Sequence, residues 1–202
     1  MSYPTHHTVL LTLLYCLCFH TLKGQSYTNT CISKEDHKLI FLINEIRSKQ
    51  DLPVLQYAQG LTYVAQTHLA DLNLNHVPEG PCLPYSWYQV EGVTNCCIEA
   101  SKPDWSCVIS KPHELIDYPA KGFEVVLSLH EENMNAQEVI HQLKTSSQAM
   151  TMVLNQKNWS AIEWKSIGLS IGEKYAILWF SNYQETAQKI IICEESTSSI
   201  AP

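Results

Sequence analysis

Apolar residues recur at helical spacing through the first half of the chain and at strand spacing in its last third. Residues 166–182 read Ser-Ile-Gly-Leu-Ser-Ile-Gly-Glu-Lys-Tyr-Ala-Ile-Leu-Trp-Phe-Ser-Asn. Ile167, Leu169 and Ile171 alternate with small or polar residues, Gly172, Glu173 and Lys174 supply a turn, and residues 175–180 are a run of β-formers. This pattern predicts a hairpin. Its return strand is apolar on both faces, with Tyr175, Ile177 and Trp179 on one and Ala176, Leu178 and Phe180 on the other. A strand of that kind is central in its sheet and covered on both sides, so helices are expected to supply the covers. Leu39, Ile40, Leu42, Ile43 and Ile46 form an apolar stripe behind Ser33 as N-cap and acidic Glu35 and Asp36, which predicts a helix over 34–49. Past a break at Asp51-Leu52-Pro53-Val54, a second helix is expected over 58–75, burying Leu61, Val64, Ala65, His68, Leu69 and Leu72. Periodicity then disappears from residue 82 to residue 119, where Pro, Gly, Trp and Cys dominate. A loop this long in a compact domain is either functional or tied down. A strand over 122–129, a third helix over 135–145 and a short fourth over 147–156 lead to the hairpin, and residues 194–202 form a polar tail. No internal repeat and no second domain is visible, which makes 25–193 one domain.

Composition narrows the partners. With a net charge of −7 and a pI near 5.7, the chain lacks the clustered Lys and Arg that nucleic acid or an anionic membrane requires, and no nucleic-acid partner is expected. The apolar run from residue 9 to residue 18 is too short to span a bilayer and leads through Leu22, Lys23 and Gly24 into polar Gln25. Residues 1–24 read as a secretory signal peptide, with His6 and His7 where Lys or Arg is usual; an uncleaved amphipathic anchor is the alternative. No later run is long enough for a transmembrane segment. Of the eight cysteines, Cys16 and Cys18 leave with the signal, and Cys31, Cys82, Cys96, Cys97, Cys107 and Cys193 remain. An even number in an oxidising compartment predicts disulfides. The simplest pairing joins Cys31 to Cys193 and leaves two local bridges in the crowded segment, without pairing the neighbours Cys96 and Cys97, since that ring is strained. No Cys-x-x-Cys or paired His at ligand spacing supports a zinc site in their place. Asn158-Trp159-Ser160 is an N-glycosylation sequon, meaningful in a secreted chain.

Several groups of residues invite a chemical reading. His68 and Asp71 lie three apart on the second helix, with His76 near its end, in the spacing of a metal or acid/base pair; a packed, hydrogen-bonded His is the plainer reading. Ser146 or Ser147 with His141 would suggest a nucleophile, but no nucleophile elbow surrounds either Ser, and Ser146 suits a helix cap better. Tyr85, Trp87, Tyr88 and Trp105 share the Cys-rich loop, where rigid aromatics give contact area at small entropic cost, so Trp87, Tyr88 and Trp105 are candidates for a loop interface. The same rings would equally serve to plug the core under the loop.

The order of segments resembles the CAP superfamily of cysteine-rich secretory proteins, antigen 5 and plant pathogenesis-related proteins. The resemblance rests on Cys82-Leu83-Pro84-Tyr85-Ser86-Trp87, the Cys96-Cys97 pair, Lys111-Pro112-His113-Glu114-Leu115 with Tyr118, Gly122-Phe123-Glu124-Val125, and the Ile-Gly-Leu hairpin, and it covers residues 34–183. It implies an α+β fold, a three-layer α-β-α sandwich stapled by disulfides. Members often carry two His and two acidic residues around a central cavity that binds a divalent metal. Here the first His position falls on Tyr85 and the second on Ala149, and only Glu124 survives of the positions that align. A phenol ionises near pH 10 and Ala ligates nothing, so no metal and no cofactor is expected. The reading that follows is a secreted, non-enzymatic extracellular protein that binds a protein partner or an apolar ligand such as a lipid or sterol, in a matrix, secretion or defence role. A metal-independent hydrolase using Glu124 and a purely structural, matrix- or mineral-associated component are the alternatives. Glu124 has a plainer role too, as a hydrogen-bond partner of Ser86 or Tyr85 that holds the loop.

Overall fold

The computed structural model describes residues 27–75, 80–128 and 135–194. The signal-peptide reading, His76 and nearly all of the polar tail lie outside these residues. Within them the chain is an α+β protein, a three-layer α-β-α sandwich, the architecture that the resemblance implies.

Helix α1 (Lys34–Ser48) starts in a capping box, with Ser33 accepting from Asp36 N–H and the Asp36 carboxylate accepting from Ser33 N–H. Strand β1 (Gln56–Tyr57) and helix α2 (Gln59–Asn75) follow. The stretch read as featureless holds two short helices, α3 (Ser106–Ile109) and α4 (Lys111–Ile116). Both are under two turns long, too short to show a period in sequence. Strand β2 (Phe123–Ser128), helix α5 (Ala136–Thr145) and helix α6 (Ser147–Val153) lead to the hairpin of β3 (Ser166–Ile171) and β4 (Tyr175–Ser181). Helix α6 ends at Val153, short of the expected 156, and a single 3₁₀ turn (Lys157–Trp159) follows.

The sheet runs β1-β3-β4-β2, so β4 is internal, paired antiparallel with β3 and with β2. Its alternation divides the core. Ala176, Leu178 and Phe180 pack with α1, α5 and α6, while Ile177 and Trp179 pack with α2 and the Cys-rich loop. The buried faces of the two long helices are those the periodicity marks: Leu39, Ile40 and Ile43 on α1, and Leu61, Val64, Ala65, His68, Leu69 and Leu72 on α2. Helix α2 lies so close to β3 that a Cβ on Gly168 would stand 2.2 Å from the Thr62 backbone nitrogen.

Three disulfides complete the frame. Cys31–Cys193 closes the ends of the domain beside a parallel bridge between Ile32 and Ile192. Cys82–Cys97 and Cys96–Cys107 staple the loop and leave the adjacent pair unjoined to each other.

Candidate functional site

The site is built around the outer strand, β2, and the loop that crosses in front of it. Glu124 points from β2 toward α2, opposite Trp179 on β4, and its side chain is fully enclosed. The His68 ring reaches it from α2: Nδ1 lies 2.6 Å from Glu124 Oε1, and Nε2 lies 3.0 Å from the Ser86 carbonyl oxygen. A carbonyl only accepts, so Nε2 carries hydrogen. At 2.6 Å, Nδ1 and Oε1 must also hold a proton between them, as imidazolium with carboxylate or as neutral imidazole with carboxylic acid. Burial pushes the Glu124 carboxyl above its ordinary range, opposed by the charge and hydrogen bond of His68. Trp87 lies flat on the far side of the imidazole, with ring centroids 4.3 Å apart and planes 15° from parallel.

In front of this pair lies a cavity of about 410 Å³. Tyr85, Glu124 and Ala149, the three positions that the sequence resemblance puts at a central cavity, all line it. Trp105 closes one side, edge-on to Tyr85 with centroids 5.1 Å apart. Trp159 and Met152 stand across from them, and Trp159 meets Phe123 edge-on at 5.5 Å. Burial raises the Tyr85 phenol above its usual value, opposed by a hydrogen bond from the Val126 backbone, while the nearby Glu124 charge adds to the rise. Ser146 also lines the cavity, where its hydroxyl caps α6 by accepting from Ala149 N–H at 3.3 Å. Asn158 of the sequon is exposed at the cavity wall.

The donor set does not fit a divalent metal. Burial makes the Tyr85 phenol harder to ionise, Ala149 has no donor, and one Glu124 oxygen is taken by His68. Among the described residues no three His, Cys, Asp or Glu side chains gather as a metal site.

The structure corrects several sequence expectations. Trp87 is no interface residue: it is 1% exposed and forms the back wall behind His68. Tyr88 packs half-buried against the same cluster, which leaves Trp105, 39% exposed, as the loop ring that meets both cavity and solvent. His68 and Asp71 are not a pair. Asp71 instead accepts from the backbone N–H groups of Tyr88 (2.8 Å) and Gln89 (3.0 Å), and so pins the loop to α2. Glu124 bonds to His68, neither to Ser86 nor to Tyr85 as expected; the Ser86 hydroxyl accepts from Ile98 N–H at 2.8 Å. His141 is exposed on α5 and takes no part in the cavity.

The His68–Glu124 contact was beyond sequence reasoning. The two residues are 56 positions apart on different elements, and the one available signal was a His on the buried face of a helix. The Lys111-Pro112-His113-Glu114 segment is a clamp: buried Lys111 Nζ reaches Glu114 at 2.9 Å, and Glu114 in turn accepts from Thr94 N–H at 2.8 Å.

No family model matches the sequence, and no curated protein matches it. Solved structures do. An extracellular protein containing an SCP domain from Bacillus anthracis is 15% identical at a TM-score of 0.47, over 72% of this chain and 39% of that one. An outer surface protein from Borrelia burgdorferi is 16% identical at 0.47, over 73% and 92%. A cysteine-rich secretory protein from Staphylococcus aureus is 16% identical at 0.45, over 72% and 37%. The chain thus spans about two fifths of the length of the first and third.

Proposed function

We propose that this chain is a secreted, non-enzymatic CAP-like binding protein whose site is the cavity along β2, and that it takes an apolar ligand or an apolar part of an extracellular protein partner. One observation carries the reading. The cavity persists with mainly apolar walls, while the side chains that would make it a metal site are Tyr85, Ala149 and a Glu124 already bonded to His68. A concave, mostly apolar pocket with few polar groups is the usual form of a ligand site. Three disulfides suit an oxidising compartment, and among the described residues no helix is long and apolar enough to cross a membrane. Residues 1–24 would direct export, with 25–193 as the folded domain and Asn158 as a glycosylation site. A hydrolytic role for Glu124 is disfavoured because both His68 ring nitrogens and one carboxylate oxygen are already committed inside the protein.

Native mass spectrometry of the protein purified from culture medium, with zinc and dodecanoate titrations followed by calorimetry, tests the reading. Three disulfides, no stoichiometric zinc, and saturable dodecanoate binding that Gln148→Trp weakens are expected. Gln148 is an exposed residue of the cavity wall, so a bulky ring there narrows the entrance without disturbing the core. A zinc ion held at neutral pH would overturn the reading of the donor set. Dodecanoate binding indifferent to Gln148→Trp would move the site elsewhere.

A further inference from the structure

We infer that the occupant of the cavity is a short extended peptide segment of a partner protein, paired through its backbone with the outer edge of β2. This rests on the cavity being the binding site and adds the chemistry of its ligand. Residues 123, 124, 125, 126 and 127 all line the one space. Side chains of consecutive strand residues point to opposite faces, so a space that meets five in a row lies along the strand's edge, against its backbone. The sheet order leaves that edge without a strand partner among the described residues.

The register states which backbone groups face the cavity. At the hairpin, Gly172 N–H donates to Tyr175 O, so alternation makes 170/177, 168/179 and 166/181 the hydrogen-bonded pairs of β3 and β4. Residues 176, 178 and 180 of β4 therefore address β2, where they face 127, 125 and 123. The N–H and C=O groups of Glu124, Val126 and Ser128 are left pointing outward. Gly122 N–H agrees with this parity by turning outward to the Ile109 carbonyl at 3.4 Å, and the Val126 backbone faces the Tyr85 phenol. Helix α3 and the stapled loop thus cover the edge at two points and leave Glu124 between them. The gap from Gly122 to Val126 is about 13 Å of strand, room for three or four extended residues.

A fatty chain or sterol would fill this volume but leave the outward Glu124 backbone groups unpaired in an apolar enclosure, which costs free energy. A peptide backbone supplies matching donors and acceptors, as in strand addition to exposed sheet edges. Its alternate side chains would meet Trp105 and Val108 on one side and Met152 and Trp159 on the other, which selects uncharged, apolar residues.

The test is selection of a displayed random heptapeptide library on the full-length protein purified from medium, with counter-selection on Gln148→Trp. Selected peptides are resynthesised with a single N-methyl group at each position in turn and measured by calorimetry, beside dodecanoate. Loss of about tenfold in affinity at alternate positions, with the intervening positions within about twofold, is expected, because N-methylation removes one donor and every second amide faces the strand. A flat N-methyl profile, or no enriched peptide, overturns the inference. If dodecanoate still binds in a Gln148-sensitive way, the cavity reading survives that failure; if neither probe binds, both fall.

Discussion

Glu124 is the residue whose environment says most. Replacing it with Ala leaves His68 Nδ1 buried without a partner, and loss of one member of a buried pair is expected to cost about 3 kcal/mol. Glu124→Gln keeps a donor for Nδ1 and should lose under about 1 kcal/mol at neutral pH. Chemical denaturation of the two variants separates a pairing role from a packing one; equal losses would refute the shared-proton description. The pH dependence follows from burial. A carboxyl held above its unfolded value contributes stability that is complete at acid pH and is lost as pH rises through the folded value. The stability of wild type relative to Glu124→Gln should therefore fall from pH 4 toward neutrality. Gly168 is the other single-residue constraint. A methyl group there meets the α2 backbone, which cannot move aside as a flexible side chain would, so Gly168→Ala should cost about 3 kcal/mol or abolish folding. A variant that folds and melts like wild type would show that α2 stands farther from β3.

Helix α2 begins without a local side-chain cap, and its orphan N–H groups are met from across the chain. Glu185 Oε2 accepts from Gly60 N–H at 3.2 Å, and the N–H groups of Gln59 and Leu61 also face the carboxylate. A negative group at a helix N-terminus answers both the unpaired donors and the dipole. Glu185→Ala should lower stability by about 1–2 kcal/mol and speed hydrogen exchange in the first turn of α2, while Glu185→Gln recovers part of the loss. The α4 clamp behaves oppositely to Glu124 with pH. Burial alone would raise the Glu114 carboxyl, but Ser110, Lys111 and the Thr94 N–H together hold it below its ordinary range. Its contribution is present above the unfolded carboxylate range and lost as pH falls through the lowered value. Lys111→Met should remove most of that acid sensitivity, read from melts between pH 3 and pH 6.

At the scale of the molecule, two kinds of staple do different work. Cys31–Cys193 spans 162 residues of sequence, and in a chain-entropy description the longest loop removes the most freedom from the unfolded state. Cys31→Ser with Cys193→Ser is expected to cost about 3–5 kcal/mol. The 15- and 11-residue separations of Cys82–Cys97 and Cys96–Cys107 constrain less chain but hold the loop that carries Tyr85 and Trp105 over the cavity. Opening the terminal bridge should lower the melting temperature and leave affinity at low temperature intact, whereas opening either loop bridge should weaken binding well below the melting transition. The reverse pattern would place the site away from the loop.

Periodicity alone determined the internal strand, its two apolar faces, both long helices with their buried stripes, and hence the need for helices on each side of the sheet. Cysteine positions suggested the tie between the ends and argued against a Cys96–Cys97 bridge, and the structure fixed the connectivity. These features are local or combinatorial: a stripe at 3.6 residues or an alternation at two is complete within one segment. Strand β1 escaped because two residues carry no period, and α3 and α4 because they are scarcely longer. The candidate site was legible only as a set of positions, Tyr85, Glu124 and Ala149, carried over from a resemblance. Tertiary structure decided that Glu124 bonds to His68, that Trp87 is a wall while Trp105 is a surface, and that β2 lies at the edge of the sheet. Each of those outcomes depends on which elements become neighbours, and that is set by burial and register across the whole chain.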